Sequence, residues 1–238
     1  MVVETARNKA AEKIVEKILV SGRKIALPDE SLEIVKLFGI DVPDCALVKT
    51  AREAVEVSKE IGFPLVLKIA SPDALHKSDM GGVAMDLKNV QEVERSYNKV
   101  IDNLKRNVPN ARIAGVLIQK QMPEAAHLIV GGLYDEQFGP TVMFGLGGVF
   151  VELFKDVSFR IAPVTETEAL EMVKEIKAYP VLSGYRGAKM LDITQLTQTI
   201  VNISELISNI NAIKEVELNP LFVYEKDVSA VDARIILK

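Results

Sequence analysis

Lys68 and Arg160 are cations inside segments that otherwise consist largely of apolar residues, PLVLKIA (Pro64–Ala70) and SFRIAPV. Lysine is rarely buried without an anionic partner, and the planar guanidinium group suits bidentate contact with phosphate or carboxylate. Both cations are therefore candidates for binding an anionic ligand. Lys68 could equally extend into solvent from an edge strand, and Arg160 could form an internal salt bridge with Glu152 or Asp156.

His76 lies in a polar loop that ends in Gly81 and Gly82. Adjacent glycines let the backbone approach a ligand closely and can direct amide groups at a phosphate, while Lys77 and Ser78 add a cation and a hydroxyl. An imidazole there could be a nucleophile, a general base or a metal ligand. A lone histidine in a loop is more often an ordinary surface residue, but these neighbours favour a functional role.

Oxygen donors cluster near the C-terminus. Glu217 and Asn219 lie two positions apart in a predicted strand, so their side chains should share a face. Carboxylate and amide oxygens suit Mg²⁺, which leaves other coordination positions to phosphates. Asp232 is a further carboxylate in an apolar setting, which a metal or an arginine should accompany. Pro220 also allows a plain turn, but Asp232 favours the metal site. This inventory is typical of magnesium-dependent phosphoryl transfer.

The segments that hold these residues alternate between helical and strand patterns, which predicts an α/β (α+β) protein. We expect an N-terminal helix within residues 1–26, a first lobe over 27–118 and a second over 119–238. Capping boxes are expected at Thr50-x-x-Glu53 and Thr165-x-x-Glu168, and Asn89-x-x-Glu92 should open another helix. The predicted strands are Ala46–Lys49, Pro64–Ala70, Val83–Leu87, Gly115–Gln119, His127–Tyr134, Thr141–Leu146, Phe159–Pro163, Val216–Tyr224 and Val228–Ile236.

Composition excludes several classes of protein. With 238 residues, 48% hydrophobic and 26% charged, the chain can bury a core and is not disordered. A net charge of −4 with mixed signs argues against a dedicated nucleic-acid or membrane-surface binder. Uncharged stretches fall well short of the ~20 residues that span a membrane. The single cysteine cannot form an internal disulfide, so we expect a soluble, cytoplasmic protein.

Several longer blocks occur in a characteristic order, and no single one of them is decisive. They are Pro64-Leu-Val-Leu-Lys68, His76-Lys-Ser-Asp-Met-Gly-Gly-Val83, Asp135-x-Gln137-Phe-Gly-Pro140, Val142-Met-Phe-Gly-Leu-Gly-Gly148, Phe150-Val-Glu152, Phe159-Arg-Ile-Ala-Pro163, Gly184-Tyr-Arg-Gly187 and Glu217-Leu-Asn-Pro-Leu221. Together they resemble the β subunit of ADP-forming acyl-CoA synthetases (acetate–CoA ligases). These belong to the ATP-grasp superfamily, as does succinyl-CoA synthetase.

The resemblance implies an ATP-grasp fold, two α+β lobes with ATP or ADP between them, preceded by N-terminal helices. It implies that Asn219 and Asp232 bind Mg²⁺ with Glu217 beside them, and that Arg160 contacts phosphate. The segment Gln119 to Met122 would be a hinge that holds adenine through its backbone. The residues expected to bind nucleotide are Lys68, Gly81, Gly82, Gln119, Lys120, Gln121, Met122 and Glu152.

The resemblance also implies a role for His76, as acceptor of a phosphoryl group from a phosphohistidine of a partner subunit and donor to ADP. The chain lacks a segment like a CoA-binding lobe. Conversion of acyl-CoA, ADP and phosphate to acid, ATP and CoA should therefore need an α subunit, in the family's arrangement of two α with two β. His127 departs from the pattern, because the family commonly has glutamate there.

Two other functions fit parts of this pattern. A self-standing ATP-grasp ligase that makes an acyl phosphate would not need His76, and it would need a substrate pocket for which the chain has little spare length. A non-catalytic nucleotide sensor would not need Asn219 and Asp232 together with His76. The joint presence of these residues favours the phosphoryl-relay subunit.

Overall fold

The computed structural model describes residues 5–74, 80–147, 156–187 and 189–238. Helices and strands alternate through the first half, and strands dominate the second. In chain order the elements are α1 (Ala6–Val20), α2 (Pro28–Leu37), β1 (Cys45–Val48), α3 (Ala51–Ile61), β2 (Leu65–Ala70), β3 (Val83–Leu87), α4 (Val90–Asn107), β4 (Gly115–Lys120), β5 (Ala126–Asp135), β6 (Gly139–Leu146), β7 (Val157–Ile161), α5 (Glu166–Glu175), α6 (Tyr179–Leu182), α7 (Ile193–Asn209), β8 (Ile213–Val223), β9 (Val228–Ala230) and β10 (Ala233–Leu237).

The described residues group into two compact units. The β1–β4 unit comprises Leu27–Asp29 and Pro43–Pro123, and the β5–β10 unit comprises the described parts of Met1–Ala26, Glu30–Val42 and Glu124–Lys238. The N-terminal helix α1 and most of α2 are therefore grouped with the second half of the chain, whereas the sequence led us to place residues 27–42 in the first lobe. None of the helices in the described ranges is long and apolar enough to cross a membrane.

The β1–β4 unit is an antiparallel sheet with the strand order β1-β4-β2-β3, covered on one face by α3 and α4. Its core follows from two periodicities. Alternate residues of β2 (Leu65, Leu67 and Ile69) point to the core beneath the helices. Val93 and Leu104 of α4 point to the same core from the helix side. The other residues of β2 must therefore face away from the helices, although the whole strand is buried.

The helix starts follow the expected chemistry with one difference in detail. Thr165 forms a complete capping box with Glu168. The Thr50 hydroxyl accepts from the Glu53 amide, but the Glu53 carboxylate accepts from the Lys49 amide at 2.8 Å, one residue before the cap. Asn89 and Glu92 repeat that arrangement at α4. The capping prediction at Thr50 is correct for the hydroxyl and displaced by one residue for the carboxylate.

The β5–β10 unit contains a six-stranded antiparallel sheet with the order β10-β8-β5-β6-β7, and β9 also pairs with β8. Helices α5 and α7 pack on one face. Gly132 shows how closely α7 approaches, because a Cβ atom there would lie 3.0 Å from the Ile207 Cβ atom. This contact also identifies the helix-covered face of β5.

The predicted strand Val228–Ile236 is wrong, because the structure divides it into β9 and β10. The partner strand explains the break: Pro220 of β8 has no amide to donate to a ladder. Around it the Val231 amide donates to the Pro220 carbonyl, and the Asn219 amide donates to the Asp232 carbonyl at 3.2 Å. Pro220 therefore lies within a strand, so the alternative prediction of a plain turn is also wrong.

Candidate functional site

Lys68 lies in the interior of the four-stranded sheet. Strand β2 pairs with β4 on one side and β3 on the other, with Lys68 opposite Leu117 and Val83. The residue is only 6% exposed. The edge-strand alternative is therefore wrong, because both edges of β2 are occupied. By alternation from Leu67, Lys68 lies on the face away from α3 and α4, where a buried ammonium group requires anionic or polar company.

Gln119 of β4 shares that face, since it pairs with Val66, two residues from Lys68. Its side chain is fully buried, and neither Nε2 nor Oε1 has a hydrogen-bond partner in the described part of the chain. Such an orphaned amide is costly and is the kind of group that a bound molecule satisfies. The sequence pointed to Gln119 only as part of a backbone hinge and gave no sign of this buried amide.

The side chains of Lys120 and Gln121 form hydrogen bonds within the protein. The Lys120 Nζ atom donates to the Gly62 and Phe63 carbonyls at 3.2 and 2.6 Å. Gln121 and Asp86 form a reciprocal pair, each bond 2.7 Å long. Asp86 has a left-handed φ of 58°, a conformation that this pair helps to hold. These side chains fix the hinge segment to the β1–β4 unit, and the Lys120 and Gln121 amides also donate to the Asp44 and Pro64 carbonyls. The adenine contact expected of this backbone stays a prediction. Met122, the last residue of that segment, is partly exposed.

Gly81 and Gly82 have a packing role within their own unit. Gly81 has φ 63°, and a Cβ atom there would lie 2.7 Å from the Asn103 Nδ2 atom, which donates to the Gly81 carbonyl. The Gly82 carbonyl accepts from the Ile69 amide at 2.7 Å. The left-handed φ therefore favours glycine at position 81, and a larger residue there would also displace the Asn103 amide. His76, with Lys77 and Ser78, lies outside the described residues, so its expected role stays a prediction.

Glu217, Asn219 and Asp232 are brought together in the β5–β10 unit. Glu217 and Asn219 lie on one face of β8, where half-exposed residues alternate with buried ones. Asp232 lies opposite Asn219, joined through the backbone bond described above. The Asn219 Nδ2 atom donates to the Glu217 Oε1 atom at 3.0 Å. This side of the predicted metal site is therefore assembled from adjacent strands.

The donor set fits a hard divalent cation only if the Asn219 amide takes part. Within the described ranges, no three His, Cys, Asp or Glu side chains form a group that could hold a metal. Asn219 and Asp232 supply an amide oxygen and a carboxylate, and phosphate or water oxygens could complete six-fold coordination. The residues present thus suit Mg²⁺ bound together with a phosphorylated ligand, rather than Mg²⁺ held by protein alone.

Two residues of this group, Glu215 and Arg234, were not predicted from the sequence. Arg234 of β10 pairs with Glu217 in the ladder, and its Nη2 atom contacts both the Glu215 and Glu217 carboxylates. The available signal was the period-two spacing of Glu215 and Glu217, with an arginine two residues after Asp232. The same face carries a cavity of about 190 Å³ that is lined by Glu215, Glu217, Gly131, Met143 and Phe159 among others.

Arg160 is not brought to this group. Paired residues of neighbouring strands share a face of the sheet. Across the β5–β10 sheet, one such row runs through Glu217, Gly131, Met143 and Phe159. Arg160 is the next residue, so it lies on the opposite, helix-covered face. There it forms a 2.8 Å salt bridge with Glu175 of α5.

The salt-bridge partners expected for Arg160 were different ones. The Asp156 carboxylate accepts from the backbone amides of Lys177 and Ala178 at 2.8 and 2.9 Å instead. Glu152 is outside the described residues. Arg160 thus pairs with Glu175, a partner that the sequence did not suggest, and its expected contact with phosphate stays a prediction.

His127 has a structural contact in β5. Its exposed ring stacks on Phe222 of β8, with centroids 4.7 Å apart and an angle of 28° between the planes. Its carbonyl accepts from the Gly147 amide. The packing role expected by default for His127 is thus the one that these contacts support.

Comparison with known proteins gives consistent matches over nearly the whole chain. A model of the ATP-grasp domain family matches residues 17–237. The β subunit of acetate–CoA ligase (ADP-forming) I of Pyrococcus furiosus is 48% identical over 227 residues, which are 95% of this chain and 97% of that one.

Solved structures agree with the sequence matches. Acetyl-coenzyme A synthetase 1 of Ca. Korarchaeum cryptofilum, in complex with coenzyme A and Ca-AMPCP, matches with a TM-score of 0.93 and 48% identity over 96% of this chain and 100% of that one. The same protein with coenzyme A and Mg-AMPPCP matches with a TM-score of 0.85 and 43% identity over the same shares. The chain therefore belongs to the ATP-grasp family and, within it, to the β subunits of ADP-forming acetate–CoA ligases.

Proposed function

We propose that this chain is the nucleotide-binding β subunit of an ADP-forming acyl-CoA synthetase. Acting with an α subunit, it would convert acyl-CoA, ADP and phosphate to a carboxylic acid, CoA and ATP. The Pyrococcus relative is named a β subunit, and the Korarchaeum structures contain coenzyme A with nucleotide analogues. These facts support both the reaction and the need for a partner that binds CoA. The cytoplasm and an assembly of two α with two β remain predictions.

The observation that carries the proposal is the oxygen-donor pair of Asn219 and Asp232 on adjacent strands. The Asn219 amide is oriented by Glu217, which accepts from its Nδ2 atom. The Asn219 Oδ1 atom is therefore directed away from Glu217, where it can bind a cation. When Mg²⁺ is bound there, it neutralises charge on the phosphate oxygens during transfer.

Lys68 is the residue we assign to the phosphates in the β1–β4 unit. Its strand is fixed by neighbours on both sides, so the ammonium group is positioned before ligand binds. A cation buried to this degree interacts with phosphate much more strongly than one in water. The orphaned Gln119 amide on the same face is available to a bound nucleotide.

His76 would relay the phosphoryl group in two displacements. A neutral imidazole nitrogen of His76 attacks the phosphorus of the partner subunit's phosphohistidine, forming one P–N bond while the other breaks. The terminal oxygen of ADP then attacks that phosphorus, and the electron pair of the P–N bond returns to the His76 ring. Imidazole suits both steps because it is largely neutral and nucleophilic near pH 7.

The test uses the reverse direction on the purified chain. Incubation with Mg²⁺ and γ-phosphate-labelled ATP should give protein-bound label that survives base but not acid. The His76→Ala variant should give none. His127→Ala is a matched control, because the sequence contains two histidines in all, and it should retain the label.

Label that persists in His76→Ala, or that disappears only in His127→Ala, would contradict the relay through His76. If the isolated chain takes no label, the reaction is repeated with the α subunit, acetyl-CoA, ADP and labelled phosphate. Turnover there that is indifferent to His76→Ala would also contradict the proposed relay. Absence of turnover with every partner preparation would contradict the enzymatic function itself.

A further inference from the structure

Three charged residues on the open face of the β5–β10 sheet form a chain of contacts that ends at Asn219. The Arg234 Nη2 atom contacts both the Glu215 and Glu217 carboxylates. The Glu217 Oε1 atom accepts from the Asn219 Nδ2 atom. All four side chains come from facing positions of β8 and β10, so the strand register itself brings them together.

The chemistry of the Glu217–Asn219 contact fixes the orientation of the amide. An ionised carboxylate can only accept hydrogen bonds, so the Asn219 atom 3.0 Å from Glu217 must be the NH₂ nitrogen. The Oδ1 atom must then face the other way. A rotation of the amide by 180° would place two oxygens against each other. Glu217 thus selects the orientation that a cation-binding asparagine needs.

Arg234 in turn holds Glu217 in that position. The Glu217 side chain is 23% exposed and that of Glu215 28%, so neither carboxylate is freely solvated. Without a cation between them, these two carboxylates on one strand face would repel each other and turn apart. With Arg234 present, one Glu217 oxygen is engaged by the guanidinium group and the other by Asn219.

From these contacts we infer that Arg234 is a positioning residue for the divalent-cation site, and that Glu217 acts chiefly by orienting Asn219. The Asn219 amide and the Asp232 carboxylate are the ligands, and Glu217 transmits the position of Arg234 to one of them. This inference rests on the proposed function, because it concerns the cation that accompanies the nucleotide. It gives Glu217 a different role from the one that the sequence suggested, in which Glu217 itself supplies an oxygen to Mg²⁺.

The inference predicts a specific loss of coupling between Mg²⁺ and nucleotide. ADP binding to the full chain is measured by calorimetry, once with Mg²⁺ and once with a chelator. In the wild type, Mg²⁺ should tighten ADP binding. In Arg234→Gln, the ratio of the two dissociation constants should fall by about 10- to 100-fold, the usual cost of losing a residue that supports a metal ligand. ADP binding without Mg²⁺ should change by less than about twofold.

Controls separate positioning from folding. Arg23→Gln breaks an arginine–glutamate pair elsewhere in the same unit, in which Arg23 binds Glu30 through two 2.7 Å bonds. It should leave the Mg²⁺ effect unchanged even if it lowers the melting temperature. Arg234→Lys should restore part of the effect, because a lysine keeps the charge but loses the forked geometry. Adding Arg234→Gln to Asn219→Ala should cause no further loss, because Arg234 acts only through that ligand.

Several outcomes would overturn the inference. An unchanged Mg²⁺ effect in Arg234→Gln would show that the guanidinium group does not position the site. Equal weakening of ADP binding with and without Mg²⁺ would mean that Arg234 contacts the nucleotide directly. If the wild type binds ADP independently of Mg²⁺, the proposed cation site itself fails, and the inference fails with it. That last result is distinguishable because it is seen before any substitution.

Discussion

The two sheets of this protein present polar groups in opposite ways. In the β1–β4 unit, Lys68 and Gln119 are buried on a sheet face, and the Gln119 amide has no partner in the described part of the chain. In the β5–β10 unit, Arg234 is partly exposed and binds both Glu215 and Glu217. One surface therefore keeps a buried amide without a partner in the described residues. The other pairs its carboxylates with a guanidinium group, whose buried Nε atom lacks a partner among those residues.

The difference follows from what each surface would bind. Phosphate is attracted by a single cation in a low-dielectric setting, where solvation does not compete. A divalent cation needs several oxygen ligands held at fixed positions, and the residues that orient those ligands must themselves be anchored. Burial serves the first purpose and a hydrogen-bonded network serves the second. Substitutions in the two units should therefore fail in different ways.

The largest effect is expected for Lys68→Met, which removes the ammonium group and keeps most of the side-chain volume. ATP formation with the α subunit should fall by about 10²–10³-fold, as when one preorganised electrostatic contact is removed from an active site. The variant should remain folded, because methionine fills a similar volume in the interior of the strand. Steady-state kinetics and a melting curve measure the two quantities. Activity within about threefold of wild type would remove Lys68 from the proposed site.

Gln119→Met tests whether the unsatisfied amide of Gln119 lowers the stability of the ligand-free protein. Methionine has a similar volume and carries no polar group that needs a hydrogen bond. Without nucleotide, the free energy of unfolding should rise by about 1–3 kcal/mol, the cost of an unsatisfied buried group. Denaturant unfolding of the ligand-free chain measures the change. A loss of stability would show that Gln119 makes a favourable contact in the free protein.

The sequence predicted the fold and the family well, because neither prediction required knowing which residues pair across strands. Helix starts at Thr50, Asn89 and Thr165 depend on local hydrogen bonds and were predicted from spacing alone. The family assignment depended on blocks spread over the chain, and the comparisons confirmed it. The broken strand at Val231 and Asp232 was missed because its cause lies in Pro220, on the partner strand.

The candidate site was predicted less completely. The reason is again that the sequence does not show which residues face each other on neighbouring strands. Spacing placed Glu217 and Asn219 on one face, but their contacts with Arg234 depend on the register between β8 and β10. The spacing of residues gave no indication of which face of the sheet the helices would cover, so the ion pair between Arg160 and Glu175 could not be predicted. Residue types were informative, whereas strand register was not available from the sequence.

Arg160→Gln should lower activity far less than Lys68→Met. Because Arg160 lies on the helix-covered face and pairs with the half-exposed Glu175, its loss should lower kcat/KM by less than about threefold and change stability by about 0.5 kcal/mol or less. The same kinetic assay with the α subunit measures this. A loss approaching that of Lys68→Met would restore Arg160 to the phosphate site and would require rearrangement of the β7 edge.

The smallest effect on nucleotide binding is expected from the ion pair of Asp73 and Arg112 at the surface of the β1–β4 unit. This pair contrasts with the Arg234 network. Arg112 binds its carboxylate through side-chain and backbone donors, and these hydrogen bonds lower the pKa of Asp73 from 3.8 to about 2. Because the folded-state pKa is depressed, the pair contributes stability above pH 4 and loses it as the pH falls towards 2. NMR titration of the Asp73 carboxyl carbon should show this value in the wild type and a higher pKa in Arg112→Ala, which loses the side-chain donors but keeps the backbone amide donor of residue 112. The Mg²⁺ dependence of ADP binding should be the same in both proteins, since this pair lies in loops of the β1–β4 unit and Asn219 lies in the β5–β10 unit. A changed Mg²⁺ dependence in Arg112→Ala would mean that surface charge in general, rather than the contacts of Arg234, sets the affinity of the cation site.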